Sequence, residues 1–191
     1  MKLKAAFDQL APSMARIFDG RLWVHYSQAY VLPNGSFEID LEGSFWGQRN
    51  GLCGSAAGDS LFLTTGLHTG GVAFVLDVLD AEPPIDPSWE EIVEASFSVG
   101  PSGISLMEWA GQASYRIPIS PGTYRVRYCA MNMQRGRDTD NILEGMPPVD
   151  SYSLAIWPSM ASPDVVIKQT SEIAAYWHRF ARSLGSRDSE S

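Results

Sequence analysis

The segment Tyr115–Ala130 reads YRIPISPGTYRVRYCA, and its pattern sets the fold class. Pro121-Gly122 has turn chemistry, because proline presets φ and glycine tolerates its positive range. Beyond the turn, Tyr124, Val126, Tyr128 and Ala130 alternate with Thr123, Arg125, Arg127 and Cys129. A period of two is that of a strand with one face in a core. Tyr115, Ile117 and Ile119 alternate before the turn, and Pro118, lacking an amide hydrogen, either places that strand at a sheet edge or turns position 118 away from the ladder. The segment is expected to form a β-hairpin.

Working outward, similar units recur. Trp23–Leu32 is expected as a first strand, followed by a Pro33-Asn34-Gly35-Ser36 turn and a strand at Phe37, Ile39 and Leu41. Residues 43–60 carry Gly43, Gly47, Gly51, Gly54 and Gly58 and read as a long loop. Further strands are expected over 61–65, 72–79, 93–99 and 104–109, with 72–79 apolar enough for burial on both faces. Ser88 and Glu91 have capping-box spacing, which allows one helical turn at 89–92. A second loop spans 131–149, and Tyr152–Trp157 forms the last strand, stopped by Pro158. Leu3, Phe7, Leu10, Met14 and Ile17 have helical spacing, broken near Pro12. Ile173, Tyr176 or Trp177, Phe180 and Leu184 form a second helical stripe.

Many short strands with glycine and proline turns predict an all-β fold, an antiparallel β-sandwich of jelly-roll-like form with short N- and C-terminal helices. The expected organisation is a helical segment at 1–20, the sandwich at 21–160, a C-terminal helix packed on it at 161–184, and a disordered tail at 185–191.

The 191 residues include 22 acidic and 14 basic side chains, for a net charge of −8. That balance argues against direct binding of nucleic acid, which needs a basic patch. Cys53 and Cys129 are too few for a disulfide framework and lack metal-ligand spacing. The amino terminus has no signal-peptide core and no stretch is long enough to span a bilayer, so a cytoplasmic protein with reduced thiols is expected.

Sites of chemistry are sparse. Gly54-Ser55-Ala56-Ala57-Gly58 is followed by Asp59 rather than the lysine of a phosphate loop, and Ser55 is misplaced for a nucleophile elbow. His25, His68 and His178 have no metal spacing. No catalytic residue, metal or cofactor is expected, and the protein is read as a non-enzyme.

The informative feature is charge. No lysine or arginine falls between Arg49 and Arg116, while nine carboxylates do. A docking face for a basic protein is therefore placed at Asp80, Glu82, Asp86, Trp89, Glu90, Glu91 and Glu94. Its competing reading is a solvated edge kept soluble by like charge. Arg125, Arg127, Arg135 and Arg137 either hold an anion or pair with the acidic segment. An alternative small-ligand or enzyme site is placed at Trp46, Arg49 and His68, under loops 43–60 and 131–149. A homodimer is a third arrangement.

With the strands set out, the chain resembles the bacterial competence protein J family. The likeness runs through Val24-His25-Tyr26-Ser27-Gln28, the apolar run Val72–Leu79, Val93–Val99 with Ile104-Ser105-Leu106, Pro121–Val126, and Asp150-Ser151-Tyr152. It covers residues 22–157; the terminal helical segments and the loop 43–59 depart from it. The resemblance implies a small non-catalytic protein that binds a nuclease and restrains it.

Overall fold

The computed structural model describes residues 13–37 and 39–185. Among the described residues, two sheets face each other. The first has six strands, in the order β1 (Met14–Val24), β5 (Gly70–Leu79), β10 (Ser151–Pro158), β9 (Gly122–Met131), β6 (Glu91–Val99), β11 (Val165–Lys168). The second has five: β3 (Cys53–Gly54), β4 (Leu61–Thr64), β2 (Gln28–Pro33), β7 (Ile104–Met107), β8 (Ser114–Ile117). The pairings are antiparallel except β5 with β10. Among the described residues, three α-helices complete the fold: α1 (Leu41–Phe45), α2 (Met133–Thr139) and α3 (Glu172–Ser183). This is the all-β sandwich the alternation predicts.

The core lies between the sheets. Tyr124, Val126, Tyr128 and Ala130 of β9, with Val93, Ala95 and Phe97 of β6 and Val72, Phe74 and Leu76 of β5, meet Ala29, Val31, Leu61, Leu63, Ile104 and Leu106. A second apolar layer forms on the outer face of the five-stranded sheet. There Tyr30, Leu32 and Phe62 point away from the main core and are covered by Phe45 of α1 and Ala181 and Phe180 of α3. Strands β2 and β4 are thus buried on both faces, and the C-terminal helix stripe is what covers the second.

Several expectations are corrected. Tyr115–Ala130 is not a hairpin: β8 pairs with β7 at the edge of one sheet, and β9 lies inside the other, between β6 and β10. Pro118 removes an amide that a hairpin ladder would use, and the segment crosses between the sheets instead. The Tyr124 hydroxyl, donating to Ser120 O at 2.8 Å, ties the crossing down much as a tyrosine corner does.

The Trp23–Leu32 strand is likewise two strands in different sheets. Tyr26 and Ser27, at φ 55° and 60°, make the two-residue turn between them. Residues 14–20 are strand, not helix. A bulge between Arg16 and Phe18 shifts the β1 register; Ile17 packs against the core while Met14 is exposed, so their helical spacing does not mark one buried face. The rest of the N-terminal stripe, residues 1–12, lies outside the described residues, as do residues 186–191 of the tail.

Phe37, Ile39 and Leu41 form no strand: Phe37 is exposed, and Asp40 caps α1 by accepting from Glu42 N and Gly43 N. The two loops contain α1 with β3, and α2. No helical turn forms at 89–92, since Glu91 starts β6. The last strand is β11, after β10.

Candidate functional site: an acidic strap on the outer sheet face

The outer face of the six-stranded sheet carries charge inward. Arg125 and Arg127 point away from the core, yet each is less than a tenth exposed. Between them, on the neighbouring strand, stands Glu94, itself buried. Its two oxygens accept from Arg125 Nε at 3.2 Å and Arg127 Nε at 2.8 Å. Both guanidinium groups then reach outward. Arg125 Nη1 donates to Ser162 O and Pro163 O, each at 2.9 Å. Arg127 Nη1 donates to Pro83 O at 2.6 Å and Pro84 O at 3.2 Å, while Nη2 meets Glu82 at 3.1 Å. Trp157 lies 5.3 Å from the Arg127 guanidinium, with its ring beneath the charge.

Residues 80–90 are therefore a strap held down by one buried arginine. Further ties fix its far end. Lys168 Nζ donates to Pro87 O at 2.8 Å, and Ser88 N donates to Asp86 Oδ1 at 2.9 Å. The Ser88 hydrogen bonds hold the Asp86 carboxyl below its ordinary value. Glu90 Oε2 accepts from Asn132 N at 2.7 Å.

The seven carboxylate-region residues thus divide. Asp80, Glu82 and Asp86 are exposed; Trp89 and Glu90 are half-buried on the same strap. Glu91 and Glu94 are buried, which corrects their assignment to a docking face. Glu91 is wholly enclosed and accepts from Thr170 N and Ser171 N, at 3.0 and 2.7 Å, just ahead of α3. Glu94 is the hub between two arginines. Their partners are distant in sequence, so no local signal marks them. Of the two readings of Arg125 and Arg127, pairing with the acidic segment is the observed one.

The alternative site does not assemble as expected. A cavity of about 590 Å³ opens between the β1–β2 turn, residues 65–68, α2 and α3; His68 lines it, and Trp46 and Arg49 do not. Arg49 belongs to a latch elsewhere, where Asp164 Oδ2 accepts from Arg49 N, Asn50 N and Asn50 Nδ2. Two histidines do meet, although 43 residues apart. Thr69 Oγ1 lies 2.6 Å from His25 Nδ1 and 2.8 Å from His68 Nδ1. One hydroxyl hydrogen can be donated to only one of them, so at least one ring carries its proton on Nδ1. No group of three metal-ligating side chains converges among the described residues. Burial pushes the thiols of Cys53 and Cys129 up to about 12, which leaves neither as a thiolate nucleophile at neutral pH.

His178 of α3 is an anchor. Gly51 N donates to its Nδ1 at 3.0 Å, inside a buried contact between α3 and the loop 43–60. Burial, reinforced by Arg182, lowers its pKa from 6.5 to about 4. The unfolded chain therefore binds the proton first, and stability falls as pH drops from about 6.5 to about 4. The loss expected is about 3 kcal/mol. Urea unfolding at pH 7 and pH 4.5 measures it; a His178→Asn variant should lose less between those values, and equal losses would contradict the anchoring role.

No protein-family model matches the chain, and no curated protein sequence matches it. Two solved structures do align. One is the crystal structure of ComJ, inhibitor of the DNA degrading activity of NucA, from Bacillus subtilis, at a TM-score of 0.52 and 14% identity, covering 77% of this chain and 99% of that one. The other is Crocagin biosynthetic gene J, at a TM-score of 0.46 and 12% identity, covering 79% and 100%. At these identities the likeness to ComJ is one of fold: this chain folds like that inhibitor, with further chain around the shared part.

Proposed function

We propose that the protein is a non-catalytic inhibitor that places its acidic strap in the basic groove of a nuclease. The observation that carries this reading is the pinning of residues 80–90 by Arg127, which hands exposed Asp80, Glu82 and Asp86 to solvent on a backbone that is already ordered. A strap ordered in advance loses little conformational entropy on docking. Its charge, on a protein of net −8, steers encounter with a cationic surface. The ComJ likeness adds that a similar fold serves a nuclease inhibitor from Bacillus subtilis.

The test is degradation of plasmid DNA by a panel of DNases that includes NucA. Stoichiometric protein is expected to slow at least one of them, with binding that weakens steeply as salt rises. Asp80→Lys with Asp86→Lys touches neither Glu94 nor Arg127, and should weaken that inhibition at least about tenfold, as reversal of steering charges at an interface does. Full activity of every nuclease, or equal inhibition by the variant, would contradict the proposal.

A further inference from the structure

The cavity beside α3 has the opposite electrostatic character from the strap. Its rim carries Arg137 of α2 and Arg179 of α3, and its walls carry the rings of Tyr26, His68, Tyr176 and Trp177. Arg179 has no hydrogen-bond or ion-pair partner among the described residues. Arg137 has only Asp140, at 3.9 Å with both side chains about half exposed, an ion pair of little strength. The cavity's one carboxylate, Glu172, stands in the first turn of α3, where the helix amides favour a negative charge. Two guanidinium groups thus face one concavity with no strong internal acceptor, in a chain where acidic residues outnumber basic ones.

The walls are built to hold their places. Gln134 Oε1 accepts from Ile173 N at 3.1 Å, joining α2 to the start of α3. Gly66 N donates to the buried Tyr152 hydroxyl at 2.6 Å, which fixes the floor to the core. The Tyr26 and His68 rings lie 5.2 Å apart on one wall, and those of Tyr176 and Trp177 lie 5.2 Å apart on the other. Guanidinium forks match carboxylate and phosphate oxygens, and aromatic walls match a flat ring. A volume of about 590 Å³ suits a ligand of nucleotide size.

We propose that this cavity binds a small anionic aromatic molecule, a planar ring carrying a phosphate or a carboxylate, with Arg137 and Arg179 holding the anionic group and the ring lying against Trp177 and Tyr26. No residue of the strap lines this cavity.

Isothermal titration calorimetry tests it with adenosine 5′-monophosphate and 1-naphthoate as probes, and with adenosine and inorganic phosphate as controls. At least one anionic ring should bind saturably below about 1 mM, and each control at least about tenfold more weakly. Binding of the monophosphate alone assigns phosphate, and of naphthoate alone carboxylate. Arg137→Met with Arg179→Met removes two exposed charges, so it should leave Tm unchanged while weakening the bound probe at least about tenfold. Absence of saturable binding by both anionic rings, adenosine binding as tightly as its monophosphate, or an unaltered affinity in the double variant would overturn the proposal.

Discussion

Replacing Glu94 by alanine is expected to lower the unfolding free energy by about 3–5 kcal/mol, the usual result of removing one partner from a buried ion pair. The reason is the hub geometry. Glu94 sits on β6 opposite Arg127 of β9, with Arg125 one pleat away, and it is the carboxylate that compensates both buried guanidinium groups. Without it, Arg127 keeps the exposed Glu82, the Pro83 and Pro84 carbonyls and the Trp157 ring, and Arg125 keeps a serine hydroxyl and two carbonyls. Glu82→Ala is the matched control. Its side chain is 65% exposed, so its loss should lower stability by under about 1 kcal/mol. Urea denaturation of the two variants checks this, and similar midpoints for Glu94→Ala and the wild type would dismantle the hub. Faster hydrogen exchange over 80–90 in Glu94→Ala should accompany the loss, because Arg127 positions that segment.

The second large effect is at the α3 contact. Gly51→Ala is expected to lower stability by about 3 kcal/mol, at the upper end of overpacking losses. A Cβ at position 51 would stand 2.0 Å from Trp177 O and 2.2 Å from the carbon bearing it. Both are helix backbone atoms, so α3 itself must move. That motion also pulls His178 away from Gly51 N and opens the layer formed by Phe180, Ala181 and the outer face of β2 and β4. Gly100→Ala is the control, because a Cβ there meets nothing within 4 Å. Exchange protection across residues 172–183 should drop in Gly51→Ala and stay unchanged in Gly100→Ala; retained protection in the former would show that α3 docks differently.

Much of the scaffold was legible in the sequence because it depends on local alternation. Tyr124, Val126 and Tyr128 announce one buried face, and Val72–Leu79 announces an interior strand, which its position between β1 and β10 satisfies. The α3 stripe likewise contains its own address, since Phe180 and Leu184 recur at helical spacing and pack on one layer. What stayed hidden depends on pairing between distant residues. Nothing near Pro121-Gly122 says that the strands flanking that turn belong to different sheets. Nothing near Glu94 or Glu91 says that these two carboxylates face inward, because their partners sit at 125, 127, 170 and 171. The helical spacing of Met14 and Ile17 misled because Met14 is exposed on a strand and shares no buried face with Ile17. The cavity was hidden for the same reason: Tyr26, Arg137 and Arg179 come from three separate stretches that only the finished sandwich brings together.

Hydrogen–deuterium exchange of the complex with the first nuclease that the protein slows tests most directly whether the strap is the surface shown to that enzyme. Slowed exchange centred on residues 80–90, weakened by Asp80→Lys with Asp86→Lys, is the predicted result. Unchanged exchange over 80–90, with protection confined to the face bearing α2 and α3 or to the β8 edge of the five-stranded sheet, would contradict it.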